Sequence, residues 1–290
     1  MILITGATGP TGADIARLLA PRGDVRVLLR DPAKSAGFDG CEVAIGDLSK
    51  PHTLSSALEG VDKVLLISPL AESMAELQGK LITAAKQAGV KHLVRISSAA
   101  ADVASPRRIG RWHGECDRLA ETSGIPFTHV RACNFMQNLL SFANEIASTG
   151  GFSAPMADGK IRLVERRDVA AVAAAVLTGA GHEGRAYVVT GDDLLGYDEV
   201  AAIIGRVIGR EVQFRDITPV QAHAGFLDAG MPPWRADEML LLYDYLRRSG
   251  NCFLTGSVQK ITGRAPRRFE DYVREQAALF RDGGAVRTHA

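Results

Sequence analysis

The sequence predicts an α/β fold, a doubly wound parallel sheet carrying a smaller, mainly helical C-terminal lobe. Three observations predict it: over the first 135 residues short apolar runs alternate with helical patterns, the runs are continuous Val/Ile/Leu stretches, and a glycine-rich turn joins the first run to the first helix. Strand–helix alternation argues for βαβ units. Continuous apolar strands argue for a sheet covered on both faces. Right-handed crossovers then give a doubly wound order, with ligands at the carboxyl ends of the strands.

In chain order, the runs place strands at Ile2–Thr5, Val25–Leu29, Glu42–Ile45, Lys63–Ile67, His92–Ile96 and Phe127–Val130. Helices are expected between and after them, near 11–20, 53–59, 73–88, 112–123 and 135–147. Beyond Gly150 the rhythm changes. Gly150-Gly151 and Pro155–Gly159 read as loop, and a helix is expected at 167–179. A strand-like run follows at Ala186–Thr190, then helices at 197–208, 218–229, 235–247 and 269–280. The expected division is 1–150 for the sheet domain and 151–290 for the lobe, with segments of the lobe returning to the sheet. Residues from Asp282 onward read as a frayed tail.

The 290 residues are 46% apolar and carry a formal net charge of +1. That composition supports a sizeable core and gives no electrostatic footprint for nucleic acid or an anionic membrane. No apolar run reaches the roughly 18 residues of a membrane span. Met1–Thr5 has neither the basic region nor the cleavage site of a signal peptide. Cys41, Cys116, Cys133 and Cys252 show no paired spacing, so thiols in a reducing cytoplasm are expected rather than a disulfide framework or a metal site.

The turn Gly6-Ala7-Thr8-Gly9-Pro10-Thr11-Gly12 carries the chemistry. Gly6 permits a tight turn, Gly9 lets a pyrophosphate approach the backbone, and Gly12 lets the helix pack on the strand. Thr8, Pro10 and Thr11 lie between them, where helix N-terminal amides face the phosphates. This is the dinucleotide fingerprint of a Rossmann domain in its confirming context, strand before and helix after. At the end of the second strand stands Arg30, where an acid would select a ribose 2′-hydroxyl. A guanidinium suits a 2′-phosphate, so NADP(H) is expected to be preferred, with NAD(H) left open; stacking on adenine is the other role that Arg30 fits. Asp31 reads as a cap. Asp47 and Leu48, after the third strand, are placed at the adenine, and Ser68, after the fourth, near ribose and nicotinamide. Each of these segments also reads as a strand-ending turn.

Taken together, Thr5–Gly12, Arg30-Asp31-Pro32-Ala33-Lys34, Gly46-Asp47 and the fourth-strand end resemble the NmrA-like group of atypical short-chain dehydrogenases/reductases. Ser97-Ser98, Ser123–Pro126, Arg131–Asn138, Arg167–Ala170 and Gly263–Arg267 extend the likeness over nearly the whole chain. The resemblance implies an extended Rossmann fold with a small substrate lobe, and NAD(P)H binding without flavin or metal. Members of the group reduce quinones, triphenylmethane dyes or azo dyes, while others sense the cofactor without catalysis.

The usual Tyr-x-x-x-Lys dyad is missing: no tyrosine or lysine lies between Ile96 and Leu119. Alcohol–ketone interconversion is therefore not expected, and neither is a tyrosine proton donor in the pocket. A conjugated acceptor suits such a site, because the anion left by hydride transfer is delocalised and needs no strong acid. His113, in a segment resembling the group's histidine-bearing one, is the candidate acid, with a structural helix-start role as the alternative. Ser97, with Ser98 beside it, is expected over the nicotinamide, catalytically or in binding the carboxamide, or only to satisfy strand-end backbone. Likeness to the group puts Asn134, Phe135 and Asn138 at the pocket, and Trp112 with the segment 231–245 is expected to close it. Asp168 reads as an N-terminal helix charge, and Arg267-Arg268 as a solvated pair.

The leading expectation is an NADPH-dependent reductase of a small aromatic or conjugated acceptor, with no nucleic-acid or membrane partner and a homodimer as the fitting assembly. The rival is a redox sensor that passes the cofactor ratio to a protein partner. Reduction of a biosynthetic enone stands third.

Overall fold

The computed structural model describes residues 1–249 and 253–284. Cys252 and the tail from 285 onward lie outside the described residues. The six expected strands form as β1 (Ile2–Ile4), β2 (Val25–Leu29), β3 (Glu42–Ile45), β4 (Lys63–Leu66), β5 (His92–Ser98) and β6 (Phe127–Ala132), interleaved with α1 (Pro10–Leu19), α2 (Leu54–Ala57), α3 (Met74–Gln87) and α4 (Arg108–Glu121). After β6 come β7 (Asn134–Phe135), a tight helical turn at Met136–Phe142, α5 (Ala143–Thr149), β8 (Gly151–Ala154), β9 (Lys160–Val164), α6 (Arg166–Thr178) and β10 (Arg185–Val189). The chain then adds β11 (Leu194–Gly196), α7 (Tyr197–Ile208), β12 (Gln213–Asp216), α8 (Pro219–Asp228), α9 (Pro233–Ser249), α10 (Ser257–Thr262), α11 (Phe269–Glu275) and α12 (Ala277–Asp282).

Seven strands pair in the order β10-β6-β5-β4-β1-β2-β3, and every pairing is parallel. The apolar runs explain this directly: all five residues of β2 are buried, and Leu3, Ile4, Val64 and Leu65 are fully enclosed. Each such side chain contributes about 1.5–3 kcal/mol on burial. One face of the sheet packs on α1 and α6 through Ile15, Val169, Val172 and Val176. The other packs on α2, α3 and α4 through Leu54, Leu81, Ile82 and Ala120.

The chain order reverses between β1 and β4, opening a crevice at their carboxyl ends. Thr5 closes the floor of that crevice. Its hydroxyl lies 2.7 Å from the Ile67 carbonyl, to which it donates, and accepts from the Ile67 amide at 2.9 Å.

The second half departs from expectation in specific places. The helix expected at 135–147 starts only at Ala143, because Asn134 and Phe135 pair with Leu163 and Val164 of β9. Gly151, read as loop, opens β8, whose Phe152 is fully buried and whose strand pairs with β12. The expected 269–280 helix breaks at Gln276, and α10, β9, β11 and β12 were not anticipated. β10 joins the main sheet beside β6, as the run at 186–190 suggested. The lobe core gathers Met136, Ile146, Phe152, Tyr197, Val273 and Phe280, so its packing begins before Gly150. Cys41 and Cys116 are free thiols, whereas Cys133 is disulfide-bonded, a departure from the expectation of unpaired thiols.

Candidate cofactor and acceptor site

The glycine turn adopts the conformation its spacing calls for. Gly6 has φ +63°, a left-handed backbone that disfavours a side chain, and a Cβ there would press on Ile67. A Cβ on Gly12 would overlap the Gly6 carbonyl oxygen, so α1 is seated directly on the turn. Gly9 is different. It is the N-cap of α1 with φ −80° and no side-chain cap, and a Cβ would meet only the Gly6 oxygen at 3.3 Å. Nothing else lies within 4 Å of such a Cβ, and Gly9 directly precedes the first-turn amides of α1, which no helical carbonyl can satisfy. The space a Cβ would fill, the amides and the helix dipole suit a diphosphate. Pro10 stands at the first helical position, and Thr8 is exposed at the tip.

Arg30 follows β2, exposed and without an ion pair among the described residues. Asp31 caps the next turn through the Ala33 amide at 2.9 Å. Asp47 follows the neighbouring strand β3 and accepts from the Ser49 amide at 2.9 Å. Its hydrogen bonding to Ser49, aided by the nearby Arg30 charge, holds its carboxyl below the usual range. Leu48 leans on the core beneath it. Ser68 accepts from Gln78 Nε2 at 2.8 Å. Parallel strand ends therefore bring the glycine turn, Arg30, Asp47 and Ser68 to one edge of the sheet.

Beneath that edge lies a buried polar network that sequence reading missed. Arg95 on β5 is wholly buried. Its guanidinium donates to Gln78 Oε1 at 2.7 Å, to Asp117, and to His113 Nδ1 at 3.1 Å. Asp117 also accepts from Ser97 Oγ at 3.1 Å and Arg131 Nε at 3.0 Å. A guanidinium offers only donors, so His113 Nδ1 is the acceptor and the ring proton sits on Nε2. Burial, reinforced by the Arg95 charge, pushes this imidazole down to about 3. His113 is therefore neutral at physiological pH, and this environment does not favour the proton-donor role suggested for it. The Ser97 hydroxyl is engaged by Asp117. Ser98 is half-buried and accepts from the Ala100 amide at 3.1 Å, as a strand-ending turn does. The only mark of this network in the sequence is an arginine inside an otherwise apolar strand, which names none of its partners.

A cavity of about 710 Å³ opens between the glycine turn and the lobe. Pro10 and Thr11 mark its cofactor end, and Asn134, Phe135 and Asn138 line its wall. Met231, Arg235, Met239 and Leu242 enter from the 231–245 segment. Trp112 is not among the lining residues: it is buried with Met74 and Cys116, its ring 6.2 Å from that of Trp234 on α9. Tyr197 and Tyr243, which sequence reading did not place at the site, also line the cavity. Burial pushes Tyr243 up to about 12 and raises Tyr197 as well, so both remain phenols, hydrogen-bonded to each other. Asp168 is buried and accepts from the Arg267 amide at 2.7 Å and from its guanidinium, while Arg267 and Arg268 are both exposed, as expected of a solvated pair. Among the described residues, no His/Cys/Asp/Glu group could hold a metal ion, and no helix is long and apolar enough to cross a membrane.

Comparison with known proteins agrees with this geometry. An NAD(P)H azoreductase of Xenophilus azovorans is 41% identical over 283 residues, covering 97% of this chain and 99% of the relative. A (4-alkanoyl-5-oxo-2,5-dihydrofuran-3-yl)methyl phosphate reductase of Streptomyces griseus is 38% identical over 97% of this chain and 99% of its own length. The NADPH complex of an Escherichia coli NADPH-dependent quinone oxidoreductase superposes with a TM-score of 0.88 at 30% identity, covering 95% of this chain and 99% of that one. The sequence model of the NmrA-like family matches residues 1–251. With a glycine cradle at the sheet's switch point, a lobe-walled cavity beside it and relatives aligned end to end, this chain belongs to the NmrA-like family.

Proposed function

We propose that the protein is an NADPH-dependent reductase that passes hydride to a conjugated acceptor of the quinone or azo class. The observation that carries this reading is the continuity of the cavity with the glycine turn: Pro10 and Thr11 line the space that Phe135, Met239 and Leu242 wall. The relatives' names add support, since they are an azoreductase, a quinone oxidoreductase and a furanone phosphate reductase.

Bound NADPH supplies the hydride. The first-turn amides of α1 hold the diphosphate, and Arg30 takes the 2′-phosphate. Asp47 and Leu48 flank the adenine, while Ser68 and Ser98 approach the ribose and nicotinamide. Asn134 and Asn138 orient the acceptor by its heteroatoms while Phe135 offers a flat apolar wall. Two electrons and one proton reach the acceptor as hydride, and a second proton completes a hydroquinone or hydrazine. With His113 neutral, that proton comes from solvent, which suffices for a delocalised anion. Positioning over the nicotinamide then carries most of the rate. His113 keeps a role as an Nε2–H hydrogen-bond donor. NADP(H) is preferred over NAD(H), with neither flavin nor metal required. The acceptor is small, no nucleic acid is bound, the location is cytoplasmic and the assembly a homodimer. Cofactor binding belongs to the sheet domain and acceptor binding to the lobe.

Incubating the purified protein with NADPH and a panel of quinones and azo dyes, and following the reduced-cofactor absorbance, tests the reading. Turnover on a panel member is expected. Tight NADPH binding with no turnover on the whole panel would sink it and favour a cofactor sensor.

A further inference from the structure

The described residues lining the cavity include no aspartate or glutamate, and the charged ones among them are two arginines, Arg166 and Arg235. They differ in what surrounds them. Arg166 Nε donates to Asp14 Oδ2 at 2.8 Å, so a carboxylate of α1 balances its charge. Arg235, in the first turn of α9, is half-buried, and its guanidinium has no hydrogen bond or ion pair among the described residues. The carboxylates beside it in sequence are committed elsewhere. Asp237 lies 3.1 Å from His223 Nε2. Glu238 accepts from the Arg108 and Ile109 amides at the start of α4.

A partly desolvated charge without a counter-ion is costly unless a ligand supplies one. The planar fork of a guanidinium matches carboxylate, sulfonate and phosphate oxygens. We infer that Arg235 is the anion-recognition residue of this cavity and that its preferred acceptors carry a carboxylate, sulfonate or phosphate group, a conclusion resting on the reductase reading of the same site. The glycine turn comes from the sheet domain and Arg235 from the lobe. The anionic substituent therefore sits at the lobe end of the acceptor, away from the bond that receives hydride.

Binding tests this without requiring turnover. A naphthol and its sulfonate are titrated by calorimetry into the protein saturated with NADP⁺. The sulfonate is expected to bind about tenfold tighter, as one charge-assisted hydrogen bond supplies. Arg235→Gln removes that preference with NADP⁺ affinity retained, and Arg235→Lys keeps part of it as a point charge without the fork. Equal affinity of the two ligands for the native protein overturns the assignment, as does a preference that survives Arg235→Gln. Loss of NADP⁺ affinity in Arg235→Gln also overturns it, because it would give Arg235 to the cofactor. NADPH oxidation with a neutral quinone and its sulfonate, read in parallel, keeps the two conclusions apart. No oxidation with either quinone counts against the reductase reading, while calorimetry still decides the anion site.

Discussion

Arg30 and Arg95 carry the same guanidinium in opposite surroundings. Arg30 is exposed at a strand end, beside Asp47, where a 2′-phosphate would give it charge-assisted partners. Arg30→Ala is expected to raise the dissociation constant for NADPH about tenfold or more and to leave NADH little changed; equal weakening in calorimetry would assign it to adenine stacking. Arg95 is buried and fully engaged. Beside it His113 is held far below the ordinary histidine value of about 6.5, first by burial and then by the Arg95 charge. The unfolded chain therefore takes up this proton first as pH falls. Stability from His113 is complete above about 6.5 and is lost on acidification toward the folded value near 3. His113→Asn is expected to flatten the acid limb of the melting-temperature profile in that window, and an unchanged limb would refute the burial account. Arg30 was legible because its position after the second strand has meaning by itself. Arg95 was not, because its partners lie 17 to 22 residues away.

The β1–turn–α1 element separates two uses of glycine. At Gly12 a methyl group would overlap backbone that cannot move cheaply. Gly12→Ala is expected to cost about 1–3 kcal/mol in stability, as overpacking does, and to abolish cofactor binding. At Gly9 the backbone angle is ordinary and the nearest contact is 3.3 Å. Gly9→Ala is expected to leave the melting temperature of the cofactor-free protein nearly unchanged while NADPH affinity falls. Thermal unfolding paired with NADPH titration distinguishes them, and a Gly9→Ala protein with native affinity would show that phosphate does not approach there. Among the other elements, α7 was legible at 197–208 because its apolar period and the Gly209 stop are local. The two- to five-residue strands β7, β8, β9, β11 and β12 were not, since they exist only through partners brought up by the fold.

At the scale of the whole molecule, the Gln78–Arg95–Asp117–Arg131 network ties α3, β5, α4 and β6 beneath the site. Arg95→Met removes the buried cation from a carboxylate that is only 3% exposed. It is expected to cost about 3–5 kcal/mol in urea unfolding, with part recovered when Asp117 is also made apolar; a loss below about 1 kcal/mol would show the network to be dispensable. The sequence alone determined the parallel sheet, the glycine cradle and the cationic end of β2, because periodicity and turn chemistry act within about fifteen residues. Tertiary structure alone decided which ring nitrogen of His113 bears the proton, that two tyrosines reach the cavity, and that Arg235 faces it without a counter-ion among the described residues. Those properties depend on burial and on distances between residues far apart in the chain, and such distances exist only once the core has closed.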